Sequence, residues 1–222
     1  MDHQQLLDKM RQEWDGRARE NAHHYIANCK DSWSEEEFYL SGEQTLREEI
    51  LTDMGNICQG ADPKQMRVLE IGCGAGRVTR AFAGLFGEVH AVDVSGEMVA
   101  RARQALQHVP NAHVYQNNGM DLGVVPVSDF DFAFSTCVFH HIGNREIIET
   151  YVREVARLLK PGKLLKFEVQ GYLGMSHDPD GTWFGVPFSD ADAVAMGERC
   201  GFEPRYRVGA GEERFWLWFF KR

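Results

Sequence analysis

Apolar positions along the chain change period several times, and each change marks an element. Residues 4 to 29 contain few helix breakers, and residues 34 to 57 place Phe38, Leu46, Ile50, Leu51 and Met54 at helical spacing, which predicts two N-terminal helices. After Pro63 the rhythm shortens. Met66 to Ile71 forms an apolar run of strand length, Arg77 to Phe86 returns to helical spacing, and Glu88 to Val92 is a second strand, together a βαβ unit. Ser95 precedes Met98, Val99, Ala102 and Leu106 as the cap of a further helix; Ala112 to Gln116 and Phe130 to Ser135 predict two more strands. An amphipathic helix over Asn144 to Lys160 then ends at Pro161-Gly162 before a strand from Lys163 to Val169.

Alternation of this kind implies an α/β fold, a doubly wound, mostly parallel sheet covered on both faces. The last fifty residues differ. Gly171 to Pro187 is rich in Gly, Pro and Asp, Ser189 to Cys200 is helical, and Pro204 to Val208 and Arg214 to Phe220 flank Gly209-Ala210-Gly211 as an antiparallel hairpin at the sheet edge. The expected division is an N-terminal helical cap over residues 1–60, part of the same domain, and a core over 61–222.

Composition narrows the function classes. A hydrophobic fraction of 43% and a charged fraction of 26% describe a globular chain able to bury its own core. The formal charge of −9 argues against a broad nucleic-acid footprint, which needs clustered Lys and Arg. Five widely spaced cysteines with no CxxC pair predict reduced thiols and neither a zinc knuckle nor a redox dithiol. The polar N-terminus lacks the apolar centre of a signal peptide and no segment reaches membrane-spanning length, so a cytoplasmic protein without membrane partners is expected.

The chemistry concentrates at Val68-Leu69-Glu70-Ile71-Gly72-Cys73-Gly74-Ala75-Gly76-Arg77, where an apolar strand ends in three alternating glycines and opens a helix. Glycines so dense mean either positive φ in a tight turn or a backbone that approaches a ligand, and the strand-loop-helix context favours the ligand. Amide groups at such a helix start suit an anionic or polar group. A dinucleotide fingerprint would need glycine where Arg77 stands, so the match to a nicotinamide cofactor is imperfect. Asp93, at the end of the second strand, is placed to accept hydrogen bonds from both hydroxyls of an adenosine ribose, or else to cap the following helix.

With these residues the chain resembles the class I S-adenosylmethionine-dependent methyltransferases of small-molecule type, over about residues 66 to 170. The resemblance implies a Rossmann-like sheet of seven strands and S-adenosylmethionine as methyl donor, with S-adenosylhomocysteine as product. It places Glu70, the loop Gly72-Cys73-Gly74 and Arg77 around the methionine moiety, Asp93 on the ribose, and Val94 and Met98 near the adenine. Asn118-Gly119-Met120-Asp121-Leu122 resembles the loop after the third strand, which implies that Met120 lies beside the adenine, that Asp121 accepts from its amino group and that the Leu122 amide donates to the ring. Phe130 to His141 resembles the fourth-strand motif, with the Thr136 backbone near the methionine amino group. Arg157-Leu158-Leu159-Lys160-Pro161-Gly162-Lys163 resembles the family's RxLKPGG turn, Lys163 departing from the second glycine.

On the acceptor side, a hydroxyl or protonated amine needs a base, and a histidine at the carboxyl end of the fourth strand is well placed. His140 is the preferred base; His141 is then free to pack or cap. No third ligand follows at metal-site spacing, so no metal is expected. Among Trp14, Tyr25, Trp33, Phe38 and Tyr39, most are expected to be packing residues, with Tyr25 the one facing the site. The segment carrying His177, Asp178, Asp180, Trp183 and Phe184 overhangs the same sheet end and either selects the acceptor, through Trp183, or is an ordinary surface turn. The resulting expectation is methyl transfer to a small-molecule acceptor by in-line displacement. A methyl-donor-binding regulator or partner subunit without chemistry, and a nicotinamide-dependent oxidoreductase, are the alternatives.

Overall fold

The structure is a computed structural model that describes residues 3–27, 32–175 and 181–222. His177, Asp178 and Asp180 of the overhanging segment, and Cys29, lie outside the described residues. Seven strands form one sheet: β1 (Arg67–Ile71), β2 (Glu88–Asp93), β3 (Ala112–Gln116), β4 (Phe130–Ser135), β5 (Leu159–Val169), β6 (Phe202–Val208) and β7 (Phe215–Lys221). Their order is β3-β2-β1-β4-β5-β7-β6. The pairings through β5 are parallel, and β7 runs antiparallel to both β5 and β6, which is the expected edge hairpin.

Among the described residues, seven α-helices flank the sheet: α1 (His3–Ile26), α2 (Glu35–Thr45), α3 (Met54–Cys58), α4 (Arg77–Leu85), α5 (Gly96–Ala105), α6 (Arg145–Leu158) and α7 (Asp190–Arg199). Side chains cap the helix starts where the sequence predicts: Ser95 accepts from the Met98 amide, and Asn144 from those of Glu146 and Ile147. Ser34 and Glu37 form a reciprocal capping box at α2, so one residue of the Glu35-Glu36-Glu37 run has a specific partner as well as a favourable place at the dipole. One face of the sheet packs Leu69, Ile71, Ala133 and Phe167 against α6, α7 and the start of α1; the other packs Val68, Phe132 and Phe134 against α3, α4 and Leu46 and Ile50 in the turn after α2. Phe82 and Phe134 meet with ring centroids 5.4 Å apart in that second layer.

Two elements differ from the sequence reading. The helix expected over residues 34–57 breaks after Thr45 into a π turn (Leu46–Ile50) and a 3₁₀ turn (Leu51–Asp53) before α3. Buried Lys166 on β5 binds this turn: its Nζ donates to the Glu49 carbonyl at 2.5 Å and lies 3.3 Å from the Glu49 carboxylate, tying the π turn to the sheet. The helix expected to reach Lys160 ends at Leu158, and Leu159 already pairs with Phe130. Pro161-Gly162 is therefore a bulge inside β5, with Gly162 at φ +76°, rather than a turn preceding it.

At the α2–α4 crossing, a Cβ on Gly42 would sit 2.2 Å from the Arg77 carbonyl oxygen. Gly42→Ala should therefore cost at least about 1 kcal/mol, measurable by urea unfolding, because two helices must separate to admit one methyl group.

Candidate active site

Strand order reverses between β1 and β4, so the loops leaving their carboxyl ends diverge and open a crevice. The glycine loop lines one wall and residues 136–142 the other. Gly72, Gly74 and Gly76 all have positive φ (+75°, +52° and +84°), so the turn requirement and the ligand-facing role coincide in one loop. A Cβ on Gly72 would lie 2.1 Å from a Val138 methyl, which fixes how closely the two walls approach. The cavity between them is lined by Glu70, Gly72, Cys73, Gly74, Arg77, Asp93, Val94, Met98 and Thr136 among the expected residues.

Asp93 bridges the cavity floor. One carboxylate oxygen accepts from the Gly74 amide at 2.8 Å and the other from the Ser95 amide at 2.9 Å, so it shapes the glycine loop and the start of α5 together. Ser95, not Asp93, is the helix cap. Burial raises the Asp93 carboxyl to about 6, although these backbone donors pull it down. Glu70, at the end of β1, accepts from Thr79 Oγ1 at 2.6 Å and is pushed up to about 7, again by burial. Cys73 packs its thiol with Ala91, Val99 and Ala102, and burial pushes that thiol well up. The Arg77 head group donates to the Ser41 carbonyl at 2.8 Å and Thr45 Oγ1 at 2.9 Å. These bonds fasten α4 to α2, and Arg77 also lines the cavity.

Met120, Asp121 and Leu122 are not among the residues that line this cavity. Asp121 closes its own loop, accepting from Asn118 Nδ2 at 2.6 Å and the Gly123 amide at 2.9 Å, while the Leu122 amide points to Glu154. Asn117 lines the cavity instead. Its Nδ2 donates to Tyr151 Oη at 2.7 Å and the Asp121 carbonyl at 3.1 Å, and its buried Oδ1 has no hydrogen-bond donor. A position directly after β3 is the signal that could have found it.

Helix α1 roofs the crevice. Asp15 accepts from Ser95 Oγ at 2.6 Å and the Glu97 amide at 3.1 Å, docking α1 on the N-terminus of α5. Arg17 stacks over Trp14 and Trp183 at 4.6 and 5.2 Å and donates to the Thr182 carbonyl, while Thr182 and Glu13 share a hydrogen bond. Trp14, Tyr25, His141 and Trp183 form one aromatic group, with Tyr25 edge-on to Trp183 at 5.9 Å and Trp14 edge-on to His141 at 5.2 Å. Tyr25 and Trp14 both line the cavity. Phe38 packs with Trp33 and His23, and Tyr39 lies under Arg80.

A second cavity adjoins the first and shares Tyr25, Ile26, Cys137 and His141 with it; His140, Gln170, Trp183, Phe184 and Arg214 complete most of its wall. His141 Nδ1 lies 2.6 Å from the Trp183 carbonyl, which can only accept, so that nitrogen carries the proton. His141 Nε2 then accepts from His140 Nε2 at 3.0 Å, leaving the lone pair of His140 on Nδ1. That atom is 3.9 Å from Glu168 Oε1. Burial lowers His141 to about 3 and also lowers His140, for which Glu168 acts in the opposite sense.

Glu168 was missed in the sequence. It is buried on β5, yet Arg214 binds it through Nε at 2.5 Å and Nη2 at 3.0 Å, and Thr136 Oγ1 and the Cys137 amide donate to it as well. Burial alone would raise this carboxyl, but Arg214 and the other donors hold it below the ordinary range. The same contacts hold Cys137 at φ +57°, a left-handed backbone at a non-glycine position in the wall shared by both cavities.

Sheet order, glycine loop and a carboxylate ending β2 define the class I methyltransferase fold. The family described as "Methyltransferase domain" matches residues 68–162 of the chain. The chain is 32% identical over 105 residues to the malonyl-[acyl-carrier protein] O-methyltransferase of Enterobacter lignolyticus, covering 46% of this chain and 38% of that protein. It is 35% identical over 113 residues to the uncharacterized methyltransferase YcgJ of Bacillus subtilis, covering 49% and 42%. The chain thus spans about two fifths of the length of these curated relatives. In fold it is similar to magnesium protoporphyrin IX methyltransferase from Synechocystis, crystallised with bound SAH, at a TM-score of 0.71, 15% identity, and coverage of 98% of this chain and 100% of that one.

Proposed function

We propose that the protein is an S-adenosylmethionine-dependent methyltransferase whose acceptor is a small molecule bound in the second cavity. The observation that carries this reading is the pair of adjoining cavities: a glycine-loop crevice with ribose-competent Asp93, opening through Tyr25, Cys137 and His141 onto a separate space that holds His140. The residues fit the methyl donor. Asp93 would accept from the ribose hydroxyls, Asn117 Oδ1 offers its unused acceptor to the adenine amino group, Val94 and Met98 pack the ring, and Glu70 and the Gly72–Gly74 amides surround the methionine end. When bound, S-adenosylmethionine supplies a methyl group on a sulfonium sulfur, open to in-line displacement by an acceptor lone pair.

The protein's part is positioning, exclusion of water and proton handling. Trp14 and Tyr25 of helix α1 face the first cavity, and Tyr25 and Trp183 the second, with aromatic faces that attract a cation and keep water out. His140 takes the acceptor's proton at Nδ1, and Glu168 nearby stabilises the resulting imidazolium. No described helix is long and apolar enough to cross a membrane. A cytoplasmic location belongs with this reading.

The direct test is formation of S-adenosylhomocysteine across a panel of hydroxyl, amine and thiol acceptors. Binding of the methyl donor with no turnover on any of them would favour the regulator, and tight NAD binding in its place would favour the oxidoreductase.

A pH dependence follows from Asp93 and Glu70. Ribose hydroxyls and a sulfonium both favour carboxylates, so S-adenosylmethionine affinity should fall by up to about tenfold per pH unit below about 7, where Glu70 takes up its proton, and more steeply below about 6, where Asp93 follows. For the protein without ligand the sign reverses. Carboxyls raised above their unfolded values hold more protons in the fold, so their contribution to stability is lost as pH rises through about 6 and 7. Calorimetric titration at pH 5.5 and 7.5, with Tm followed over the same range, measures both.

A further inference from the structure

We propose that Glu88, His90 and His113 form a binding site for a divalent transition-metal ion, with zinc the ion best suited to its donors, at the amino ends of β2 and β3. Strand geometry assembles it. Glu88 and His90 are two residues apart on β2 and so share a face, and the parallel register pairs His90 with His113 on β3. Glu88 Oε1 lies 2.8 Å from His90 Nε2 and 3.8 Å from His113 Nε2, and the three ligand atoms all fall within 4.8 Å of one another. Among the described residues no other three His, Cys, Asp or Glu side chains form such a group.

Zinc bonds of 2.0–2.2 Å at a tetrahedral angle hold ligand atoms about 3.3–3.5 Å apart. The two measured separations lie about half an ångström to either side, a mismatch that small side-chain rotations remove. Two imidazoles and one carboxylate are the borderline donor set that zinc and its first-row neighbours prefer to magnesium or calcium.

The surroundings supply the outer contacts such a site needs. Arg67 Nε holds Glu88 Oε2 at 2.7 Å, leaving Oε1 turned toward the imidazoles. His90 is buried, and its Nδ1 lies 3.1 Å from Tyr115 Oη. A tyrosine hydroxyl can donate or accept, so it can stabilise the tautomer with the proton on Nδ1 and Nε2 free for metal. His113 is 41% exposed, which gives the ion an entry and a fourth position for water.

The site stands at the opposite end of the sheet from the glycine loop, so the ion would not touch the transferred methyl group. It would instead clip β3 to its neighbour. Edge strand β3 leads into β4 through residues 117–129, which contain no helix to cover it, so β3 gains from a second fastening.

The test uses the full chain, free of any histidine tag and treated with a chelator, titrated with zinc by calorimetry and with cobalt by visible absorption. One equivalent should bind, raise Tm and give cobalt absorption of low coordination number. His113→Ala, an exposed edge-strand change, should lower zinc affinity at least tenfold and remove the Tm shift while leaving the metal-free Tm near that of the parent. Failure to bind one equivalent, or equal zinc affinity in the His113→Ala protein, would overturn the proposal. Neither outcome depends on methyl transfer.

Discussion

His140→Ala is expected to lower kcat by about 10²- to 10⁴-fold for a hydroxyl or protonated amine acceptor, the usual contribution of a positioned base. Affinity for S-adenosylmethionine should change little, because His140 lines the second cavity and not the glycine-loop crevice. The hydrogen-bond chain explains the size of the effect. With the Trp183 carbonyl fixing the proton on His141 Nδ1, and His141 accepting from His140 Nε2, the basic lone pair of His140 sits on the side of Glu168. His141→Ala removes only the neighbour that orients this ring, so its loss should be smaller. A larger loss in His141→Ala than in His140→Ala would reverse the two roles. Glu168→Gln should displace the pH–rate profile to lower pH if Glu168 stabilises the imidazolium, the outcome expected here, and lower the rate without moving the profile if it only fixes the tautomer. Steady-state kinetics of the three variants against pH separate these cases.

Asp93→Ala should weaken S-adenosylmethionine binding by about 1–3 kcal/mol, through lost charge-assisted hydrogen bonds to the ribose. The same carboxylate accepts from the Gly74 and Ser95 amides, so its removal also releases the glycine loop from the start of α5. Asp93→Asn keeps an acceptor for one amide and should retain more of the fold's stability than of the affinity. Calorimetry combined with thermal unfolding distinguishes the roles: a lower Tm with unchanged affinity would leave Asp93 a loop brace alone.

The strands and most helix starts were legible because their causes are local. Val68 to Ile71 and Phe130 to Ser135 are buried runs of strand length, and Ser95 and Asn144 cap helices through their own side chains. The break after Thr45 was not legible, because the group that binds the Glu49 carbonyl is Lys166, more than a hundred residues away. Pro161-Gly162 looks the same in sequence as a turn or as a bulge; only the pairing of Leu159 with Phe130 distinguishes them. Asp121 satisfies the adenine-loop pattern, yet Asn118 and Gly123 occupy its oxygens locally, and Asn117 takes the cavity position.

By itself the sequence determined the α/β alternation, the glycine loop and its partner Asp93, since strand period, positive-φ glycines and a strand-end carboxylate are properties of short segments. Tertiary structure alone decided which charges are engaged and which atoms face a cavity. Arg77 turned to α2, Glu168 met Arg214 beside His140, and Glu88, His90 and His113 converged through strand register. Those outcomes depend on distances between residues far apart in the chain, and on burial that shifts a proton, and neither is encoded in any one segment's pattern.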